Sequence, residues 1–203
     1  MIDFRIDTVK AKKWGEKKYS RWKSALTENE KGQITDYTKN ANPINSYLRE
    51  NNGNLGANPN MDEKIELLDK ALNKSKLNDT ITVYRGTDGI IFGEEFQTTL
   101  MKGNKVNEEV ARKIKGQFEG TMLLERGYLS TSIVLGNNFL ARNVLIELKV
   151  PKGESAGYVD PISYFPGQLE MLLPRNTQYY IDNIRTIVNG GSQRLKVEAR
   201  IIK

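Results

Sequence analysis

The chain has 203 residues, 38% of them hydrophobic and 28% charged, with a formal net charge of +6 and neither cysteine nor histidine. A chain of that length can enclose a substantial core, burying roughly 70% of its unfolded surface. The missing residue types exclude disulfides, thiol nucleophiles, Cys/His zinc sites and any Ser-His-Asp triad, and they leave acid–base work to Asp, Glu, Lys or Tyr.

No apolar run approaches the ~20 residues of a membrane span, so stable membrane insertion is not expected. The start, Met1-Ile2-Asp3-Phe4-Arg5-Ile6-Asp7, alternates charged and apolar residues and is not a signal peptide. Either the protein stays inside its cell or an export signal is missing from this sequence. The positive excess is densest before residue 24, where eight Lys/Arg face three acids. It is either a solvated basic surface or an attraction for acidic partners, nucleotide phosphates or a membrane surface. No nucleic-acid motif accompanies it, and nucleic acid is not expected as a partner.

In chain order, Lys10 to Lys23 predicts an amphipathic helix with Trp14, Tyr19 and Trp22 available for burial. Thr27-Glu28-Asn29-Glu30 is a capping box that opens a helix through about Lys39. Asn42-Pro43 predicts a second start, an N-cap followed by Pro at the first helical position. That helix carries Ile44, Asn45, Leu48 and Arg49. Gly53, Gly56 and Pro59 mark a loop, and a further helix runs from Met61 to about Asn73, with Ile65, Leu68 and Leu72 on one stripe.

Thr80 to Arg85 is the first strand, rich in β-branched and aromatic residues. Helical stretches follow near Glu94–Met101 and Asn107–Phe118. After Gly127 the period changes. Tyr128–Ser132, Val144–Val150, Ser155–Asp160, Gln168–Leu173, Gln178–Val188 and Arg194–Ile202 read as strands, with Asn189-Gly190-Gly191-Ser192 as a hairpin turn. Helices first and a mainly antiparallel sheet later define the α+β class. No repeat, low-complexity segment or interdomain linker interrupts the chain.

Three strings carry chemistry. Arg85 ends an apolar strand and is followed by Gly86. It is either a solvent-facing terminus or a planar cation that forks onto phosphate oxygens, with Gly86 allowing close approach. Ser130-Thr131-Ser132 is either an exposed edge or a hydroxyl cluster. In the second case alternation sends Ser130 and Ser132 to one face, where a hydroxyl can fix the rotamer of a carboxylate. In Gln168-Leu169-Glu170, strand geometry places Gln168 and Glu170 on one face and buries Leu169 on the other. This pair is either an ordinary polar face or a site for displacement at an anomeric carbon. Glu170 would stabilise an oxocarbenium-like charge, and Gln168, which can donate and accept, would hold an incoming amide. Asp160 to Gly167 forms a shaped loop whose Tyr164 and Phe165 either cover the core or recognise a protein. Phe139 and Arg142 lie on another loop, suited to stacking on a flat ring and meeting a phosphate.

Taken together these residues resemble the bacterial mono-ADP-ribosyltransferases of the arginine–serine–glutamate class, and most of all the Rho-modifying exoenzymes of the clostridial C-three type. The resemblance runs from about Ala11 to the C-terminus. It rests on Tyr128-Leu129-Ser130-Thr131-Ser132, on Ala156 to Ser163 and Gly167 to Arg175, and on Lys13-Trp14-Gly15, Asp36 to Lys39 and Ile44 to Arg49.

The resemblance implies an ADP-ribosyltransferase fold, N-terminal helices on a mixed, mainly antiparallel two-sheet β core. It implies a single catalytic domain over 1–203, helical over about 8–75 and mixed, mainly β, over about 80–203. It implies NAD as co-substrate, no metal, and a host Rho-type small GTPase as protein substrate. Glu170 would be the catalytic carboxylate, Gln168 would recognise the acceptor asparagine, and Ser130 would position Glu170. Thr131 and Ser132 would support the strand. Arg85 would bind the NAD diphosphate beside Gly86. Thr38, Asn45 and Arg49 would contribute from the helical half, Phe139 would lie over the nicotinamide and Arg142 would hold a phosphate. Phe165, with Tyr164, would dock the GTPase, and Pro166 stiffens that loop where a small residue is expected. Thr121 to Arg126 carries no assignment. The alternatives are arginine-directed transfer, NAD hydrolysis, or a non-enzymatic basic module that binds a GTPase or anionic lipid. The resemblance also implies a secreted, monomeric toxin acting in host cytosol. With no translocation domain, entry would use a separate partner, an intracellular bacterium or nonspecific uptake.

Overall fold

The computed structural model describes residues 1–137 and 140–202. Four helices come first: α1 (Thr8–Ala25), α2 (Glu28–Lys39), α3 (Asn42–Glu50) and α4 (Pro59–Asn73). Each start has a local cause. The Asp7 carboxylate accepts the Lys10 N–H at 3.0 Å, and the Thr27 hydroxyl accepts the Glu30 N–H at 3.1 Å. Three starts differ from the sequence reading, α1 beginning at Thr8 rather than Lys10. Helix α3 begins at Asn42 itself, with no side-chain cap. Helix α4 begins at Pro59, because the Asn58 side chain accepts from Asn60 and Met61 and Pro is tolerated at the first position. Trp22 fastens α1 to α4 through its indole N–H, 2.8 Å from the Ala71 carbonyl.

The second half supplies β1 (Ile81–Thr87), a 3₁₀ turn (Gly89–Phe92), α5 (Glu94–Thr99), a ribbon of β2 (Met101–Lys102) and β3 (Lys105–Val106), and α6 (Glu108–Phe118). It then supplies β4 (Met122–Glu125), β5 (Leu129–Ser132), β6 (Val144–Val150), β7 (Gly157–Tyr158), β8 (Glu170–Leu173), β9 (Thr177–Asn189) and β10 (Ser192–Ile201). The ribbon and β4 were not read from the sequence. They are short, and β4 is a half-exposed edge with no buried residue.

Eight strands join in the order β4-β9-β10-β6-β1-β5-β8-β7. All neighbours are antiparallel except β10 and β6. The ladder between β1 and β5 narrows to the pair Tyr84–Ser132, a corner where a five-strand half meets a three-strand half. The β9–β10 hairpin turns on Gly190 and Gly191, both at positive φ (60° and 82°), the conformation a tight two-residue turn needs. The core lies between the helices and the sheet, with Leu48, Leu68, Leu72, Ile81, Met171 and Leu172 fully enclosed.

Candidate active site

The corner of the sheet positions the candidate residues. Arg85 lies on β1, next to the Tyr84–Ser132 pair, and one of its guanidinium nitrogens donates to the Ser130 carbonyl at 2.9 Å. On β5 and β8, Ser132 stands opposite Glu170 and Ser130 opposite Leu172. Glu170 is thus the first residue of its strand, and it is 5% exposed. Its pKa is pushed up to about 7 by burial, with the Asp160 carboxylate adding to the rise. The Ser130 hydroxyl and the Arg85 charge work the other way and favour the carboxylate. Tyr37 adjoins the same hydroxyl, and burial raises its pKa to about 12.

The string Gln168-Leu169-Glu170 is not a regular strand. Leu169 has φ 51°, in the left-handed region, and pairing begins only at Glu170. The strand expected from Gln168, and the period-two argument built on it, are therefore corrected. Strand pairing is broken by a closed loop. The buried Asp160 carboxylate accepts the N–H groups of Gly167 (3.0 Å) and Leu169 (2.9 Å). The Gln168 carbonyl is held by the Ser132 hydroxyl (2.9 Å) and by the Asn137 amide (2.7 Å). The half-buried Gln168 side chain makes no hydrogen bond among the described residues, so its donor and acceptor are both available. Likewise β7 covers only Gly157–Tyr158, because Pro161 turns the chain into a 3₁₀ segment at Asp160–Ile162.

Tyr164 and Phe165 are 49% and 48% exposed and meet edge to face at 4.9 Å. Thr38 tethers their loop. Its hydroxyl accepts the Tyr164 N–H at 2.9 Å and donates to the Thr35 carbonyl at 2.8 Å. Thr38 does not line the cleft described next.

That cleft, about 440 Å³, brings together Asn45, Arg49, Arg85, Ser130 and Arg142. Glu170 and Gln168 are not in its lining; Glu170 reaches it through Ser130. Asn45 is a strut as well as a wall. Its side chain accepts the Tyr128 N–H at 2.9 Å and donates to the Tyr37 hydroxyl at 3.0 Å. Gly127 permits this, since a Cβ there would lie 2.6 Å from the Asn45 oxygen. Gly86 is buried in β1 opposite Leu145. Phe139 lies outside the described residues.

The cleft arginines are not equivalent. Arg49 forks onto Glu125 at 3.0 and 3.1 Å, and Arg142 pairs with Asp88 at 2.7 Å. Arg85 and Arg126 form no salt bridge among the described residues, although the Arg85 charge is felt by Glu170. Arg126 escaped the sequence reading because it belongs to no motif. Asp160, Asn137 and Tyr37 escaped it too. Of these, Asp160 left a signal: an Asp-Pro pair opening a loop that ends on glycine.

The fold, with its arginine, serine and glutamate meeting at one sheet corner, defines an ADP-ribosyltransferase. The sequence profile described as ADP-ribosyltransferase exoenzyme matches residues 11–203, and the chain belongs to that family. Among solved structures it is similar to Plx2a, an ADP-ribosyltransferase toxin from Paenibacillus larvae, with 75% identity, TM-score 0.96 and 100% of both chains covered. It is similar to C3stau2 from S. aureus, solved with NAD, at 30% identity and TM-score 0.87, covering 100% of this chain and 99% of that one. The mono-ADP-ribosyltransferase C3 of Clostridium botulinum D phage is 43% identical over 91% of this chain and 73% of its own. The N-terminal helices and the mixed, mainly antiparallel sheet are those of the family's fold. Among the described residues no helix is long and apolar enough to cross a membrane.

Proposed function

We propose that the chain breaks the nicotinamide–ribose bond of NAD and transfers ADP-ribose to an asparagine of a Rho-type small GTPase, as one catalytic domain over 1–203. The observation that carries this reading is the Gln168 side-chain amide, unbonded among the described residues, two residues before a buried carboxylate, on a loop that exposes Tyr164 and Phe165. An amide pairs with an asparagine side chain through one donated and one accepted hydrogen bond. A carboxylate at that position would instead suit a guanidinium.

The donor set fits NAD. The cleft's volume falls within the roughly 300–1,000 Å³ of small-molecule sites. Arg85 and Arg126, neither of them in a salt bridge among the described residues, offer charge that suits a diphosphate. Ile90, Ile91 and Leu124 give an apolar wall for a flat ring. NAD supplies an activated glycosidic bond whose leaving group departs with the bonding pair.

The chain's residues do the rest. Arg85 anchors phosphate and holds β5 through the Ser130 carbonyl. Ser130 orients Glu170. Glu170 stabilises the positive charge that develops on the ribose carbon. Gln168 orients the asparagine amide nitrogen, which forms the new bond and gives its proton to Glu170. On this reading the protein acts as a secreted toxin in host cytosol.

The test is incubation with NAD and a panel of small GTPases, followed by mapping of the modified residue by mass spectrometry. The expected result is ADP-ribose on one asparagine of Rho, abolished by Glu170→Gln. Label on arginine, or nicotinamide release with no labelled protein, overturns the acceptor.

A further inference from the structure

The stretches Leu135–Asn137 and Leu140–Ala141, next in the chain to the cleft residue Arg142, line a second cavity. On the cleft side Arg142 pairs with Asp88, while Asn137, which lines the second cavity, holds Ser132 and Gln168. On the other side Leu135, Leu140 and Ala141 line a cavity of about 360 Å³, against residues of β6, β9 and β10. Leu140 and Leu145 are buried there with Tyr84, and Leu135 and Ile187 pack against them. Val188, 72% exposed, stands in the lining.

Three cations share this apolar space. Lys196 is matched by Glu147 at 2.9 Å and Glu198 at 3.5 Å, and Arg5 by Asp3 at 3.4 Å. Arg194 has no carboxylate among the described residues. One of its terminal nitrogens donates to the Leu140 carbonyl at 2.8 Å, but its Nε is buried without any acceptor. Burial lowers its pKa by desolvating the charged form. Arginine nevertheless stays charged in proteins, so the imbalance cannot be relieved by losing a proton. The Nε is closed to a ligand, but the second terminal nitrogen of Arg194, in the cavity lining, makes no hydrogen bond among the described residues. Apolar walls around one unmatched positive group describe a pocket for an anion with an apolar body.

We propose that this cavity is a binding site for a small amphiphilic monoanion, a medium-chain carboxylate, with its head on Arg194 and its chain along Leu140, Leu145 and Ile187. A monoanion follows from the count, one uncompensated cation. An apolar tail follows from the lining. The site does not depend on which protein accepts ADP-ribose.

The experiment is calorimetric titration of the whole protein with octanoate and, separately, with octanol and acetate. Saturable octanoate binding is expected, with octanol and acetate at least about tenfold weaker because each lacks half of the recognised chemistry. Arg194→Gln should weaken octanoate at least about tenfold, the range of a lost charge-assisted hydrogen bond. Because Arg194 also holds the Leu140 carbonyl, a second variant guards against misfolding. Val188→Glu changes an exposed residue and places a negative charge in the lining, so it too should weaken octanoate. Absence of saturable binding below about 10 mM, equal affinity for octanol, or unchanged affinity in Val188→Glu overturns the proposal.

Discussion

Arg85 and Ser130 are joined by a 2.9 Å hydrogen bond from guanidinium to backbone carbonyl, so the cation of one strand fixes the strand whose hydroxyl faces Glu170. Cation, hydroxyl and carboxylate are therefore one mechanical unit. Their coupling makes the protonation state of Glu170 the first quantity to test.

The pKa of Glu170 is raised from 4.5 to about 7. If its carboxylate is required, kcat/KM for NAD should climb with pH up to about 7 and level off above. Stability should move the opposite way. Between pH 4.5 and about 7 the folded state binds more protons than the unfolded one, so stability falls as pH rises through that window and stays lost above it. Glu170→Gln escapes this loss. At pH 8 it should be more stable than the parent by on the order of 2–3 kcal/mol, an advantage that vanishes near pH 4. Thermal melts of both proteins at the two pH values decide this without any substrate. A lower Tm for Glu170→Gln at pH 8 would contradict it.

Arg126 lines the cleft unmatched, whereas Arg49 and Arg142 are already engaged by Glu125 and Asp88. Arg126→Gln should raise KM for NAD about tenfold, the scale of a lost charge-assisted hydrogen bond, and the defect should shrink as salt screens the parent. Steady-state kinetics at two ionic strengths measure both effects. Arg142→Gln should weaken binding at least as much, since removing that guanidinium leaves the Asp88 carboxylate uncompensated in the cleft.

Gly127 lies against Asn45, the strut between α3 and the start of β5. Gly127→Ala would put a methyl 2.6 Å from the Asn45 side-chain oxygen and push the strut off the Tyr128 N–H. A loss of about 1–3 kcal/mol in urea unfolding is expected from such overpacking. NAD binding should weaken with it, because Asn45 is also cleft wall.

Thr38→Val should separate the two halves of the reaction. It removes the acceptor for the Tyr164 N–H and leaves the cleft lining intact. Transfer to protein should fall about two- to tenfold, the equivalent of one neutral hydrogen bond, while hydrolysis of NAD by water stays near the parent rate. An equal fall in both activities would place Thr38 in the NAD site instead.

Long periodic elements were legible in the sequence. The capping box at Thr27, the apolar stripe of α4 and the Asn189–Ser192 turn lie where local chemistry puts them, because caps and glycine turns act over a few residues. The residue types of the site were legible too, as three strings each open to an ordinary explanation. The break at Leu169 was not. A left-handed leucine is imposed by Asp160, nine positions earlier, gripping its N–H, and no local pattern announces it. The β2–β3 ribbon and edge strand β4 were missed because two- to four-residue strands carry almost no periodicity.

The sequence by itself settled what the chain is made to offer: no thiol, no imidazole, eleven arginines, a hydroxyl run and an amide near a carboxylate. Only the tertiary structure decided which of these are free to act. Pairing with Glu125 and Asp88 occupies Arg49 and Arg142, burial lifts the pKa of Glu170, and a loop closed on Asp160 leaves the Gln168 side-chain amide unbonded among the described residues. Charge compensation and desolvation depend on neighbours distant in sequence, and those neighbours exist only once the chain has folded.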